Sequence, residues 1–189
     1  MKKNKKIILA SLSLRRIELL KKWGLVFDVV PSKIEEKCDL KRPSYVVKYL
    51  SYKKAELVKK NNPNYIVIGS DTVVFLNGKI LGKPKNKQQS ISMVKELNGS
   101  THRVYTGVSI LSSKLNLVFY DVAIVKMKKL ADDELQKLFG KNMDKAGSYA
   151  VQDKNDSFVK KIYGDYFTVV GLPYIKLREK LKLFNITIR

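Results

Sequence analysis

The longest apolar runs of the chain are short: Ile7 to Ala10, Tyr65 to Gly69 and Val104 to Leu111. Runs of this length suit buried β-strands and fall far below the ~20 residues that a membrane-spanning helix needs. Stretches with helical spacing of apolar residues separate them. Such a chain is constrained to pack short strands against helices, so the spacing predicts an α/β fold on a mixed sheet, with crossover helices as well as hairpins. No membrane partner is expected. The basic start, Met1 to Lys6, precedes only the Ile7–Ala10 run, which is too short for a secretory signal. By elimination, the expected compartment is the cytoplasm.

Residue by residue, Lys6–Ala10 reads as a first buried strand and Leu14–Lys22 as a helix with Ile17, Leu20 and Trp23 on one face, capped by Ser11 or Ser13. Leu25–Val30 reads as a strand stopped by Pro31, and Pro43–Lys60 as a helix with proline in its first turn. Tyr65–Phe75 and Lys79–Leu81 form a hairpin about Asn77-Gly78, a strong two-residue turn signal. Ser90–Leu97 reads as a helix, Val104–Leu111 and Leu117–Met127 as strands, and Asp132–Phe139 as a short helix with an acidic start. Phe158–Ile162 and Phe167–Val170 read as strands and Tyr174–Leu183 as a last helix. The 189 residues carry no visible repeat or linker and suit a single domain over 1–189 made of two closely packed lobes.

With 44% hydrophobic residues the chain can build a core, which excludes disorder as the reason for its charge. The net charge is +21, with lysines in every segment. One reading is a solvated lysine-rich surface; the other is nucleic-acid binding. Either way the field attracts polyanions such as nucleoside triphosphates. Cys38 is the only cysteine, so no disulfide can form within the chain. His102 is the only histidine, and with no second His or Cys nearby it argues no zinc site.

Several strings carry potential chemistry. Ser11-Leu12-Ser13-Leu14-Arg15-Arg16 lies between a strand and a helix, where free N–H groups and two guanidinium forks suit phosphate. Asp71 interrupts the apolar Tyr65–Phe75 strand, which is costly unless a metal, a proton, a cation or backbone donors attend it. In Leu81-Gly82-Lys83-Pro84, a stiff turn presents a lysine that can meet a phosphate oxygen. On the Pro43 helix, Lys53 and Lys54 both edge onto the apolar face, and periodicity does not choose between them. Asp144-Lys145-Ala146-Gly147-Ser148-Tyr149-Ala150-Val151-Gln152 ends in an amide able to donate to and accept from a base edge. There is no P-loop string.

Taken together and in order, these strings resemble the Maf family of nucleoside-triphosphate pyrophosphatases. The likeness runs through Leu9-Ala10-Ser11-x-Ser13-x-Arg15-Arg16, Ile34-Glu35-Glu36, Lys54-Ala55, Asp71-Thr72-Val73-Val74, Leu81-Gly82-Lys83-Pro84, Leu97-x-Gly99, Thr101-His102 and Thr106-Gly107. It continues through Asp144-Lys145-Ala146-Gly147-x-Tyr149 to Val170-Gly171-Leu172-Pro173 and so covers nearly the whole chain. The chain departs from the family pattern at Leu14, usually proline, and at Thr168, usually Asn or Ala.

The resemblance implies a Maf/ITPase-like α/β fold, an extended mixed β-sheet with flanking helices forming two lobes around a cleft. It implies hydrolysis of nucleoside triphosphates between the α and β phosphates with a divalent cation, Mg2+ or Mn2+, since oxygen ligands favour these over zinc. Asp71, Glu36, Lys54 and Lys83 fall at catalytic positions of the family, with Glu36 and Asp71 as metal ligands, and Lys54 rather than Lys53 as the family lysine. Ser11, Arg15 and Arg16 fall on the phosphate-side loop. Arg15, Thr72 and Gln152 match the trio that marks the dTTP/UTP subgroup; a sister subgroup acts on 7-methyl-GTP, and the same reaction on such modified nucleotides is the alternative for this chain. The resemblance also suggests a homodimer. Nucleic acid is not expected as a partner, although the charge keeps a basic nucleic-acid-binding or division-regulating protein as the competing reading.

Overall fold

The strand expected near the N-terminus is β1 (Ile7–Leu9), in a computed structural model that describes residues 6–36, 38–151 and 158–189. It is buried on both faces, as a continuous apolar run requires. The remaining elements are α1 (Leu14–Lys22), β2 (Asp28–Val29), α2 (Pro43–Asn61), β3 (Ile66–Leu76), β4 (Lys79–Leu81) and α3 (Lys87–Leu97). They are followed by β5 (Thr101–Leu111), β6 (Asn116–Met127), α4 (Asp132–Gln136), a 3-10 turn at Ala146–Ser148, β7 (Val159–Tyr163), α5 (Tyr166–Val170) and α6 (Tyr174–Lys182). The strands form one seven-stranded sheet in the order β2-β1-β3-β5-β6-β7, with β4 on β3. The sheet is mixed: β1 is parallel to β2 and β3, while β4 runs antiparallel to β3, and β7 to β6.

Two compact units divide the chain. The first comprises 1–71, 106–121 and 171–189; the second comprises 72–105 and 122–170. The first holds a core of Ile8, Ala10, Ala55, Val58, Val67 and Leu111. The second holds one that includes Val74, Met93, Val94, Leu97, Val125, Met127 and Phe158. Each buried large aliphatic or aromatic side chain in these clusters contributes about 1.5–3 kcal/mol relative to exposure.

Four expectations need correction. Phe167–Val170, read as a strand from its β-branched and aromatic residues, is helical. The Asp165 carboxylate accepts the Phe167 N–H at 2.9 Å and the Asp165 carbonyl accepts the Thr168 N–H at 3.0 Å, so a local cap overrides β-propensity. The second strand is two residues long rather than Leu25–Val30. Helix α3 starts earlier than Ser90, because Asn86 caps it and accepts the Gln89 N–H at 2.8 Å. Helix α4 stops at Gln136 rather than Phe139. Among the described residues, no helix is long and apolar enough to cross a membrane.

Candidate active site

The polar cluster of the first unit is built on a close approach between α2 and β3. Gly69 carries no side chain, and a Cβ there would overlap the Ser51 carbonyl and lie 2.9 Å from Ala55 Cβ. A Cβ on Gly107 of β5 would likewise overlap the Val47 carbonyl of α2. The two glycines let the helix backbone lie directly on the strands. Ser51 Oγ and Ser109 Oγ, 2.9 Å apart and buried, tie α2 to β5 at the same level. Along β3, Gly69 and Asp71 share a face, two residues apart. On α2, Lys54 follows Ser51 by one turn.

That packing settles which lysine turns inward. Lys54 Nζ lies 2.6 Å from Asp71 Oδ1 and 2.7 Å from Glu36 Oε1, with only 9% of its side chain exposed. Lys53 points to solvent and pairs with Glu56 at 2.8 Å. Asp71 is buried as well, and its second oxygen, Oδ2, is shielded from solvent with no hydrogen-bond partner among the described residues. Glu36 is far more open, at 44% side-chain exposure. Breaking a buried ion pair by removing one partner costs about 3–5 kcal/mol, because the other charge is left uncompensated. Lys54 and Asp71 therefore hold each other in place.

Arg16 joins the cluster from the first turn of α1. Its Nε donates to the Gly171 carbonyl at 3.0 Å, and its Nη1 donates to the Ser70 carbonyl at 3.0 Å and to Ser11 Oγ at 3.4 Å. Burial pushes its pKa down to about 10, opposed by the nearby charge of Asp71; Arg15 lowers it further and Glu36 raises it. It stays protonated at neutral pH. Ser11 Oγ also accepts the Ser13 N–H at 3.2 Å, so the loop ahead of α1 is closed by Ser11 while Ser13 is the capping position without a side-chain bond. Arg15 is partly buried in the same turn.

The expected set is thus partly assembled. Glu36, Lys54 and Asp71 form one ion-paired cluster in the first unit, and Arg16, bonded to Ser11, lies within electrostatic reach of Asp71 and Glu36. Lys83 lies exposed at the bend after β4 in the second unit, and the neighbouring Gly82 carbonyl accepts the Gly147 N–H at 3.0 Å. Thr72, partly buried, follows Asp71 on β3. Gln152 lies outside the described residues.

The sequence reading gave neither Ser70 nor Gly171 a role, although Gly171 stands in the Val170–Pro173 string. Ser70 is fully buried, and its Oγ lies 2.8 Å from the Gly171 carbonyl and 3.0 Å from the Gly107 carbonyl. Arg16 and Ser70 therefore converge on one carbonyl, that of Gly171, whose φ of +118° is open to glycine and hostile to other residues. The only sequence signal was a serine between Gly69 and Asp71 on an apolar strand.

A sequence model of the family described as "Maf-like protein" matches residues 6–184. The chain is 43% identical over 187 residues to a protein of Bacillus thuringiensis subsp. konkukian (strain 97-27) named dTTP/UTP pyrophosphatase, covering 97% of this chain and 98% of that one. It matches a Bacillus anthracis protein of the same name equally, at 43% identity with the same coverage. Among solved structures, the Staphylococcus aureus Ham1 protein aligns over 94% of this chain and 98% of its own at 15% identity, with a TM-score of 0.49 that is too low to carry an argument. The glycine-floored contact of α2 on the sheet, the Lys54–Asp71 pair and the Arg16 loop all lie inside the span the family pattern matches, and the chain belongs to the Maf family.

Proposed function

We propose that this chain hydrolyses nucleoside triphosphates, dTTP and UTP foremost, to the nucleoside monophosphate and pyrophosphate. The single observation that carries the reading is the buried Asp71, held by Lys54 at 2.6 Å through one oxygen and leaving Oδ2 unbonded. A carboxylate so fixed can orient a water and take its proton. The water oxygen then bonds to the α-phosphorus, the bond from that phosphorus to the α–β bridging oxygen breaks, and the electron pair leaves with pyrophosphate. Arg15, Lys54 and Lys83 offset the charge that builds on the leaving group, while Arg16 and Ser11 hold the loop in shape. Phosphoryl-type transfer draws most of its acceleration from such positioning and electrostatics.

The residues fit a divalent cation, Mg2+ or Mn2+. A shielded carboxylate oxygen without a donor suits a hard ion. Among the described residues no group of three His, Cys, Asp or Glu side chains gathers, so Glu36 and Asp71 would hold the ion with substrate phosphates and water completing its shell. Bound there, it neutralises phosphate charge. Arg15, Thr72 and Gln152 are proposed to select the base, a reading that the names of the Bacillus relatives support.

The test is a parallel assay of dTTP, UTP, dCTP, GTP and 7-methyl-GTP with Mg2+ or Mn2+, resolving pyrophosphate from orthophosphate. Release of pyrophosphate from dTTP and UTP above the others is expected. Turnover centred on 7-methyl-GTP would keep the reaction and reject the base assignment. Asp71→Asn should fold and lose at least about 100-fold in turnover; wild-type rates in that variant would remove Asp71 from the mechanism.

A further inference from the structure

The first unit carries, on its surface, an unbroken alternation of cations and aromatic rings outside the cluster around Asp71. Arg42, at the start of α2, has its guanidinium 6.0 Å from the Tyr45 ring centre. Lys48 Nζ, one turn further on, lies 4.8 Å from Tyr45 and 5.8 Å from Tyr120 of β6. Lys176 Nζ on α6 lies 6.0 Å from the same Tyr120 ring. The order is therefore Arg42, Tyr45, Lys48, Tyr120, Lys176, drawn from three separate elements. Both rings are open to solvent, Tyr45 by 49% and Tyr120 by 37%. Tyr49, next to Lys48 on α2, is 42% exposed. Val118 is exposed on the same side of β6 as Tyr120, two residues away. Asp121 pairs with Lys176 at 2.7 Å, and Lys176 also donates to the Tyr120 carbonyl at 3.1 Å. These two bonds fix Lys176 beside the ring.

Cations alone would be unremarkable in a chain of charge +21. Exposed aromatic rings regularly interposed between them are different, because a ring gains nothing from a phosphate. It gains from a flat, weakly hydrated partner laid on its face. Single-stranded nucleic acid supplies both chemistries in the same alternation: bases that stack on aromatic rings and phosphates that meet cations. Duplex nucleic acid offers the phosphates but keeps its bases stacked on one another. We propose that the Arg42–Tyr45–Lys48–Tyr120–Lys176 row is a binding surface for single-stranded nucleic acid, with Tyr45 and Tyr120 as stacking platforms and Arg42, Lys48 and Lys176 as phosphate contacts.

The surface is separate in its residues from the proposed pyrophosphatase set, so the two readings stand or fall independently. Lys48, which leans on both tyrosines, can turn to a phosphate and leave the rings to bases, while Lys176 stays anchored beside Tyr120 for a phosphate that reaches it there. Exposed cation–π contacts are the weaker of the two interactions, so the exchange favours the strand.

The test uses fluorescence anisotropy with a 5′-labelled oligothymidylate, the matching oligouridylate and a duplex of the same length, titrated with the full chain at several salt concentrations. Tyr45→Ala/Tyr120→Ala leaves the charge unchanged. It should weaken single-strand binding about 10-fold or more while duplex binding and the salt dependence stay as in the wild type. Lys48→Gln should lower the slope of log affinity against log salt by about 0.7 for the single strand. Turnover of dTTP and the melting temperature of each variant, expected to be unchanged, show that the fold is intact. Single-strand affinity unaltered by loss of both rings would overturn the proposal, as would equal wild-type affinity for duplex and single strand. Competition by a non-hydrolysable thymidine triphosphate would move the binding to the nucleotide site and overturn it too. So would a dimer in sedimentation equilibrium that the double tyrosine variant dissociates, since the row would then be a contact between two copies of the chain.

Discussion

Ser70 Oγ lies 2.8 Å from the carbonyl of Gly171, a residue 101 positions away in the chain. The contact is fully buried and shares its acceptor with Arg16 Nε, while the Ser70 carbonyl accepts from Arg16 Nη1. Arg16, Ser70 and Gly171 thereby close a ring of hydrogen bonds directly beside Asp71. Ser70→Ala removes the hydroxyl and leaves the Gly107 carbonyl without it. Urea denaturation should register a loss of about 1–3 kcal/mol. Because the ring sets where Asp71 stands, kcat should fall while KM for dTTP changes less than twofold. An equal loss in both, or none, would mean that Ser70 only packs.

Lys54 Nζ joins Asp71 Oδ1 and Glu36 Oε1, and these two carboxylates are the ones proposed to hold the divalent ion. Replacing Lys54 with methionine should therefore do two opposite things. The fold should lose about 3–5 kcal/mol as Asp71 loses its partner, and Mn2+ should bind the nucleotide-free protein at least about 10-fold more tightly, as read by electron paramagnetic resonance. Mn2+ should also raise the melting temperature of Lys54→Met more than that of the wild type. Equal Mn2+ affinity in the two proteins would show that the ammonium and the ion do not compete for these oxygens.

Acid should find the second unit's weak point at His102. The ring is buried, with Nε2 at 2.7 Å from Tyr149 Oη and, among the described residues, no partner for Nδ1. Burial pushes its pKa from 6.5 down to about 4. Between those values the unfolded chain holds a proton that the folded chain refuses, so stability rises with pH across the window and is lost as pH falls from 6.5 towards 4. The full contribution is about 3 kcal/mol. Urea midpoints measured from pH 7.5 to pH 4 should drop more steeply for the wild type than for His102→Gln; parallel curves would assign the acid sensitivity to other groups.

Gly69→Ala places a methyl group against the Ser51 carbonyl and 2.9 Å from Ala55 Cβ. Neither neighbour is a flexible side-chain tip, so helix and strand must separate. A loss of about 1–3 kcal/mol is expected, and more if Lys54 is pulled off Asp71. Gly78→Ala meets no atom within 4 Å but has a φ of +78°, so it tests backbone strain alone in the same denaturation assay. A smaller loss for Gly69→Ala than for Gly78→Ala would contradict the close-contact account.

What the sequence disclosed follows from which forces are local. The strand–helix alternation and the Asn77-Gly78 hairpin depend on periodicity and turn chemistry, and Leu14–Lys22 forms the helix its spacing predicts. Asp71 was legible as an anomaly because a charge in an apolar strand violates a local pattern. The choice between Lys53 and Lys54 was not legible from spacing, since both border the apolar face; it is made by Gly69 and Gly107, whose missing side chains matter only once α2 is laid on the sheet. The Ser70–Gly171 contact stayed hidden for the same reason, because it joins segments that sequence spacing cannot relate. At Phe167–Val170 the composition favoured a strand, but one carboxylate at Asp165 sufficed to turn it into a helix.

One boundary between the two units falls at the peptide bond after Asp71, inside β3. Arg16, Glu36, Lys54, Ser70 and Asp71 lie in the first unit, and Thr72 and Lys83 in the second. The bonds from Lys54 to Asp71 and Glu36, and from Arg16 to Ser11, Ser70 and Gly171, each have both partners in the first unit, so a lineage can rewrite the second unit and keep both partners of each. Thr72 and Lys83 can then be retuned without touching the bonds that align the carboxylates, whereas a change at Arg15 falls inside the unit that holds them.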